Sequence, residues 1–81
     1  MVNPLSWKTR VPMAQRYFFV VEGPDRRYPD RIGTRLANKE LALDYARRVL
    51  QELKQGRAEE FKDCSMLVQD ELGNTLFYIP F

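Results

Sequence analysis

The chain contains no histidine, one cysteine and four glycines, none adjacent to another. Each shortage removes a class of chemistry. Without histidine there is no imidazole to act as a base near neutral pH, so Ser–His and Cys–His nucleophile pairs are excluded. A lone Cys64 permits neither a disulfide within the chain nor a thiolate metal cluster, and no metal or cofactor is expected. Scattered glycines build no phosphate-cradling loop. Long apolar runs are missing too. The longest, Tyr17-Phe18-Phe19-Val20-Val21, falls far below the ~20 residues of a membrane span. The first fifteen residues hold Lys8 and Arg10 but no apolar stretch, so no secretory signal is visible. A cytoplasmic, non-catalytic protein is the expectation.

What remains is a globular composition. Of 81 residues, 44% are apolar and 30% charged, and ten are aromatic. A chain of this size buries about 63% of its unfolded surface, enough for one modest core and no second domain. Charge is unevenly placed. Residues 1–36 hold seven basic and three acidic side chains, a net of +4, whereas residues 37–81 hold six and eight, a net of −2. The basic residues form no continuous run, so they read first as solvated.

Residues 1–15 read as an N-terminal arm, because Pro4 and Pro12 interrupt regular structure and Leu5, Trp7 and Val11 follow no period. Residues 16–81 read as the domain. Arg16 to Glu22 is expected as a strand, ended by Gly23-Pro24-Asp25. A second strand starts at residues 26–28, breaks at Pro29 and resumes over residues 33–36, which an edge position tolerates. Asn38 is a good N-cap, Glu40 suits the first turn of a helix, and Gly56 is placed to stop it. Between them Leu41, Ala42, Leu43, Tyr45, Ala46, Val49, Leu50 and Leu53 share one arc, while Asp44, Arg47, Arg48 and Glu52 face water. A polar link over residues 57–63 leads to a hairpin of residues 64–69 and 75–81, turned by Asp70-Glu71-Leu72-Gly73. The same spacing in Asp30-Arg31-Ile32-Gly33 reads as turn chemistry, since lone carboxylates make poor cation ligands. The expected fold is α+β: a β-β-α-β-β two-layer domain, its small antiparallel sheet covered on one face by one long helix.

Several landmarks fall in a recognisable order: Arg16-Tyr17-Phe18-Phe19, Asp30-x-x-Gly33-x-x-Leu36, Ala42 and Ala46 in the helix, Asp70-x-x-Gly73, and Ile79-Pro80-Phe81. Over residues 13–81 the chain resembles a family of short, functionally uncharacterised bacterial proteins that begin with Met, one or two residues, then Arg-Tyr-Phe-Phe. Met13-Ala14-Gln15-Arg16 is similar to that start, which leaves residues 1–12 as an addition. The resemblance implies the fold and transfers no activity, substrate or catalytic residue.

Cys64 follows Asp63, a neighbour that disfavours the thiolate, so it reads as a structural thiol. Glu59-Glu60 and Asp70-Glu71 read as solvated carboxylates. Two binding readings remain. Arg16-Tyr17-Phe18-Phe19 interleaves a cation with aromatics, as stacking platforms for single strands do, and Arg10, Arg16, Arg26 and Arg27 would meet phosphate. This is the weaker reading, because aromatics on a strand more often fill a core. The stronger reading is self-association. The first and last strands are apolar on both sides, whereas a sheet with one wet face should alternate. A homodimer is therefore expected through the face that the helix leaves uncovered, with Tyr17, Phe19, Val21, Phe77, Ile79 and Phe81 at the contact and Trp7 of the N-terminal arm joining the seam. The arm folding back with Leu5, Trp7 and Val11 is the alternative cover.

Overall fold

β-Branched and aromatic runs set the strands. In a computed structural model that describes residues 14–81, Gln15–Glu22 forms β1, Arg27–Tyr28 β2, Thr34–Leu36 β3, Ser65–Gln69 β4 and Thr75–Pro80 β5, with one helix, α1, at Lys39–Phe61. The strands make one antiparallel sheet in the order β2-β1-β4-β5. β3 also pairs with β1, opposite Gln15–Tyr17, on the edge where β2 meets Val21 and Glu22. The expected broken edge strand is thus two short strands laid end to end. Pro29 separates them, and the Asp30 carboxylate occupies the gap by accepting the Phe19 N–H.

Asn38 caps α1, its Oδ1 accepting the Leu41 N–H at 2.9 Å, a contact that typically stabilises by ~1 kcal/mol. Ala42, Ala46 and Leu50 are buried on the helix face that meets the sheet. The two alanines allow close approach, and Tyr45 beside them sets its ring 4.8 Å from that of Phe19.

Gly56 is not a left-handed stop; the helical geometry breaks one residue later. Among the described residues only Gly33 and Gly73 have positive φ, and α1 continues to Phe61 with a kink at Arg57 (φ −141°, ψ 41°). The expected polar link is therefore a kinked last turn. Phe61 is the cause: it is 4% exposed, packed between Tyr28 at 5.3 Å and Phe81 at 5.7 Å. Burying one such ring contributes roughly 1.5–3 kcal/mol, more than the ~1 kcal/mol that glycine costs a helix.

β5 is the far edge of the sheet. The Phe81 N–H donates inward to the Cys64 carbonyl at 3.1 Å, so by strand alternation the Pro80 nitrogen faces outward, where no ladder bond is lost. The β4–β5 register is also irregular beside Val68 and Gln69. No helix among the described residues is long and apolar enough to cross a membrane.

Candidate functional site

The two Asp-x-x-Gly units fold as loops closed on their own backbone. Asp30 Oδ1 accepts the N–H groups of Ile32 at 3.2 Å and Gly33 at 3.0 Å. Asp70 Oδ1 accepts those of Leu72 and Asn74, both at 2.9 Å. Gly33 and Gly73 supply the left-handed residue, at φ 75° and 87°. Bonds from Asn74, together with those from Leu72 and Gly73, hold the Asp70 carboxyl below its ordinary value against the opposing effect of burial.

Cys64 is buried at the start of the hairpin, against Gly23: a Cβ on that glycine would sit 2.8 Å from the Cys64 Sγ. Glu60 is not simply solvated. It takes two bonds from Arg57, at 2.9 and 2.8 Å, and one from the Tyr28 hydroxyl at 3.3 Å. Arg57 holds its carboxyl below the usual range. Arg26 donates to the same hydroxyl at 3.2 Å, which raises the arginine's already high pKa. These bonds tie β2 to the kinked end of α1, with carboxylate and guanidinium already matched to each other.

Register decides which sheet face lies under the helix. Met66 and Val68 are buried in the core, and Val21 pairs with Met66 while Phe19 pairs with Val68. Tyr17, Phe19 and Val21 therefore face α1, and so do Phe77, Ile79 and Phe81 from the last strand. The self-association surface expected on these six residues is not available in this fold. Tyr17 and Val21 are buried and the others pack half-buried on the same cluster, because the helix covers the side they occupy. Trp7 and Arg10 lie outside the described residues, as does the rest of the expected arm through Met13.

The face away from α1 carries the opposite set. Val20, Leu67 and Tyr78 stand in one row across β1, β4 and β5, with Phe18 beside them on β1. Val20 is 3% exposed although it lies outside the helix-facing core, while Tyr78 is 66% exposed. Ser65 and Gln69 alternate with Leu67 on β4, and the Ser65 hydroxyl bonds that of Tyr78 at 3.0 Å. Arginines border this row on one side. Arg35 of β3 pairs with Arg16, and Arg27 of β2 with Glu22, so all four share the face.

Three of the arginines expected at phosphate thus fall in different settings. Arg27 is bonded to Glu22 at 2.8 Å, Arg26 is held by Tyr28, and Arg16 donates to the Ile32 carbonyl at 2.9 Å. Arg35, absent from the expected set, joins Arg16 on this face. Its signal is the alternation Thr34-Arg35-Leu36, in which Leu36 packs on the core and so turns Arg35 outward.

Neither a curated protein nor a solved structure matches the chain. A family model does, described as a domain of unknown function (DUF6894), and its match spans residues 16–81. That stretch contains the helix and every strand apart from Gln15. With most of its length matched, the chain belongs to the family of DUF6894 domains.

Proposed function

We propose that the protein is a non-catalytic binding module whose working surface is the uncovered sheet face, and that the partner is anionic. The observation that carries this reading is the sorting of side chains on that face: Arg16, Arg27 and Arg35 against a single Glu22, beside an apolar row. An excess of cations on one flat surface steers negatively charged partners. Titration with a soluble polyanion tests it. Arg35→Glu should weaken binding several-fold and flatten its salt dependence, whereas Arg47→Glu, on the polar face of α1, should do neither. Equal effects from both would mean that net charge alone acts.

Self-association is a second reading, supported by Phe18, Leu67 and Tyr78 on the face away from α1. Magnitude limits it. Four strands about 4.8 Å apart and some six residues long present a face on the order of 400 Å². A stable dimer buries about 800 Å² per partner, and a two-fold contact would bring the same arginines together from both copies. A homodimer through this face is therefore weak unless further residues join it. Light scattering on the full chain and on Leu67→Asp decides: a dimeric mass at micromolar concentration, lost in the variant, supports this reading, and a monomer in both refutes it.

A further inference from the structure

We infer that the corner of the open face formed by Arg16, Arg35 and Phe18 binds the phosphate backbone and a base of single-stranded nucleic acid. The inference rests on the reading of this face as the working surface. Arg16 and Arg35 are directly opposite in the β1–β3 register, a position in which like charges destabilise a sheet. Among the described residues, neither has a carboxylate partner. A phosphate group removes the conflict, because its oxygens accept from two guanidinium forks at once.

The corner is also held in shape. Arg16 Nη1 donates to the Ile32 carbonyl at 2.9 Å, which fixes the side chain and leaves its other N–H groups for a ligand. Gly33 lies beneath it. A Cβ at Gly33 would sit 2.7 Å from Arg16 Cγ and 2.9 Å from Phe18 Cε2, so stem and ring rest side by side on bare backbone. A fixed cation beside a half-buried ring is the pairing that holds one phosphate and stacks one base. Arg26 and Arg27 do not belong to this corner, since Tyr28 and Glu22 already engage them. Duplex DNA fits poorly: a sheet of several strands backed by a helix is wider than the ~12 Å major groove. An acidic peptide would satisfy the arginines but offers no π-face for Phe18.

Fluorescence anisotropy on the full chain tests this, with three probes: a labelled single-stranded RNA of about 12 nucleotides, within known single-strand site sizes, its duplex, and an oligoglutamate of equal charge. The single strand should bind about tenfold tighter than either competitor, with Phe18→Leu weakening it about tenfold at unchanged melting temperature. Arg16→Gln with Arg35→Gln should reduce the slope of log affinity on log salt by about 0.7, the loss of one phosphate contact. Arg47→Gln with Arg48→Gln should leave affinity and slope intact. If duplex or oligoglutamate binds as tightly as the single strand, this inference fails while an anion-binding face survives. If the helix variant weakens binding as much, or none of the three probes binds, both fail.

Discussion

The Phe19 N–H donates to Asp30 Oδ2 at 3.1 Å, in the stretch of the β1 edge that lies between β3 and β2. One carboxylate there does the work of a missing strand residue, since its other oxygen orders the loop at Ile32 and Gly33. Asp30→Ala leaves a half-buried amide without its acceptor and should cost ~2 kcal/mol. Asp30→Asn keeps one acceptor oxygen and should fall between. Urea unfolding of the three proteins checks the order, and an alanine variant as stable as the parent would show that water replaces Asp30.

The glycines separate two kinds of position. At Gly56 nothing lies within 4 Å of an added Cβ and the residue is helical, so Gly56→Ala should raise stability by about 0.5–1 kcal/mol. Were Gly56 a left-handed stop, the same change would lower it. Gly33→Ala meets Arg16, Phe18 and the Tyr17 carbonyl oxygen within 3.0 Å and carries φ 75°, so a loss above the ~1–2 kcal/mol of a left-handed residue is expected. Thermal melts of both variants give the two signs.

Asp70 links the stability of the hairpin to acid. Its carboxyl titrates below the ordinary 3.8 because Asn74 and its loop neighbours donate to the charged form. A depressed folded pKa means stability that is complete above the ordinary value and is lost as pH falls below it. Glu60, held below 4.5 chiefly by Arg57, adds in the same direction. Asp70→Asn should therefore flatten the acid limb of a stability–pH curve below about pH 4, with little change in its shape near pH 7. An unaltered acid limb would mean that the loop bonds are equally strong in the unfolded chain.

Leu50→Ala removes a side chain that is 5% exposed between helix and sheet, and should cost about 2–5 kcal/mol. Against the 5–15 kcal/mol of a typical small domain, that is enough to lower the urea midpoint substantially. A loss under 1 kcal/mol would mean that the neighbouring side chains close over the cavity.

How much of this is legible from residues alone depends on the kind of signal. Strand β1, the N-terminus of α1 at Asn38 and both Asp-x-x-Gly turns follow from local chemistry that acts within a few residues, and they stand where sequence places them. The helix end does not, because a contact distant in sequence, Phe61 on Tyr28 and Phe81, outweighs the local preference of Gly56. The orientation of the sheet was the larger gap. β1 and β5 are apolar on both sides, so their alternation is silent about which side the helix takes. β4 holds the answer: Ser65 and Gln69 flank Leu67, while Met66 and Val68 are apolar throughout. Carried across the register to Val21 and Phe19, that pattern places the helix over the odd-numbered side of β1 and Arg16 and Phe18 on the side away from it. Arg35 needed the same step, since its role depends on being opposite Arg16.

Both rims of the sheet are stopped by an imino acid. Pro29 follows the two-residue β2 on one side, and Pro80 ends β5 on the other, next to a register irregularity. A neighbouring molecule seeking to add its own strand meets, at either border of the described residues, a ladder with rungs missing. Growth sideways, the route by which small sheets become fibrils, is closed at both ends, and concentrated solutions should stay clear where an unbroken apolar border would seed ribbons. On the binding role proposed for this face, a partner arrives from above the sheet and not from beside it.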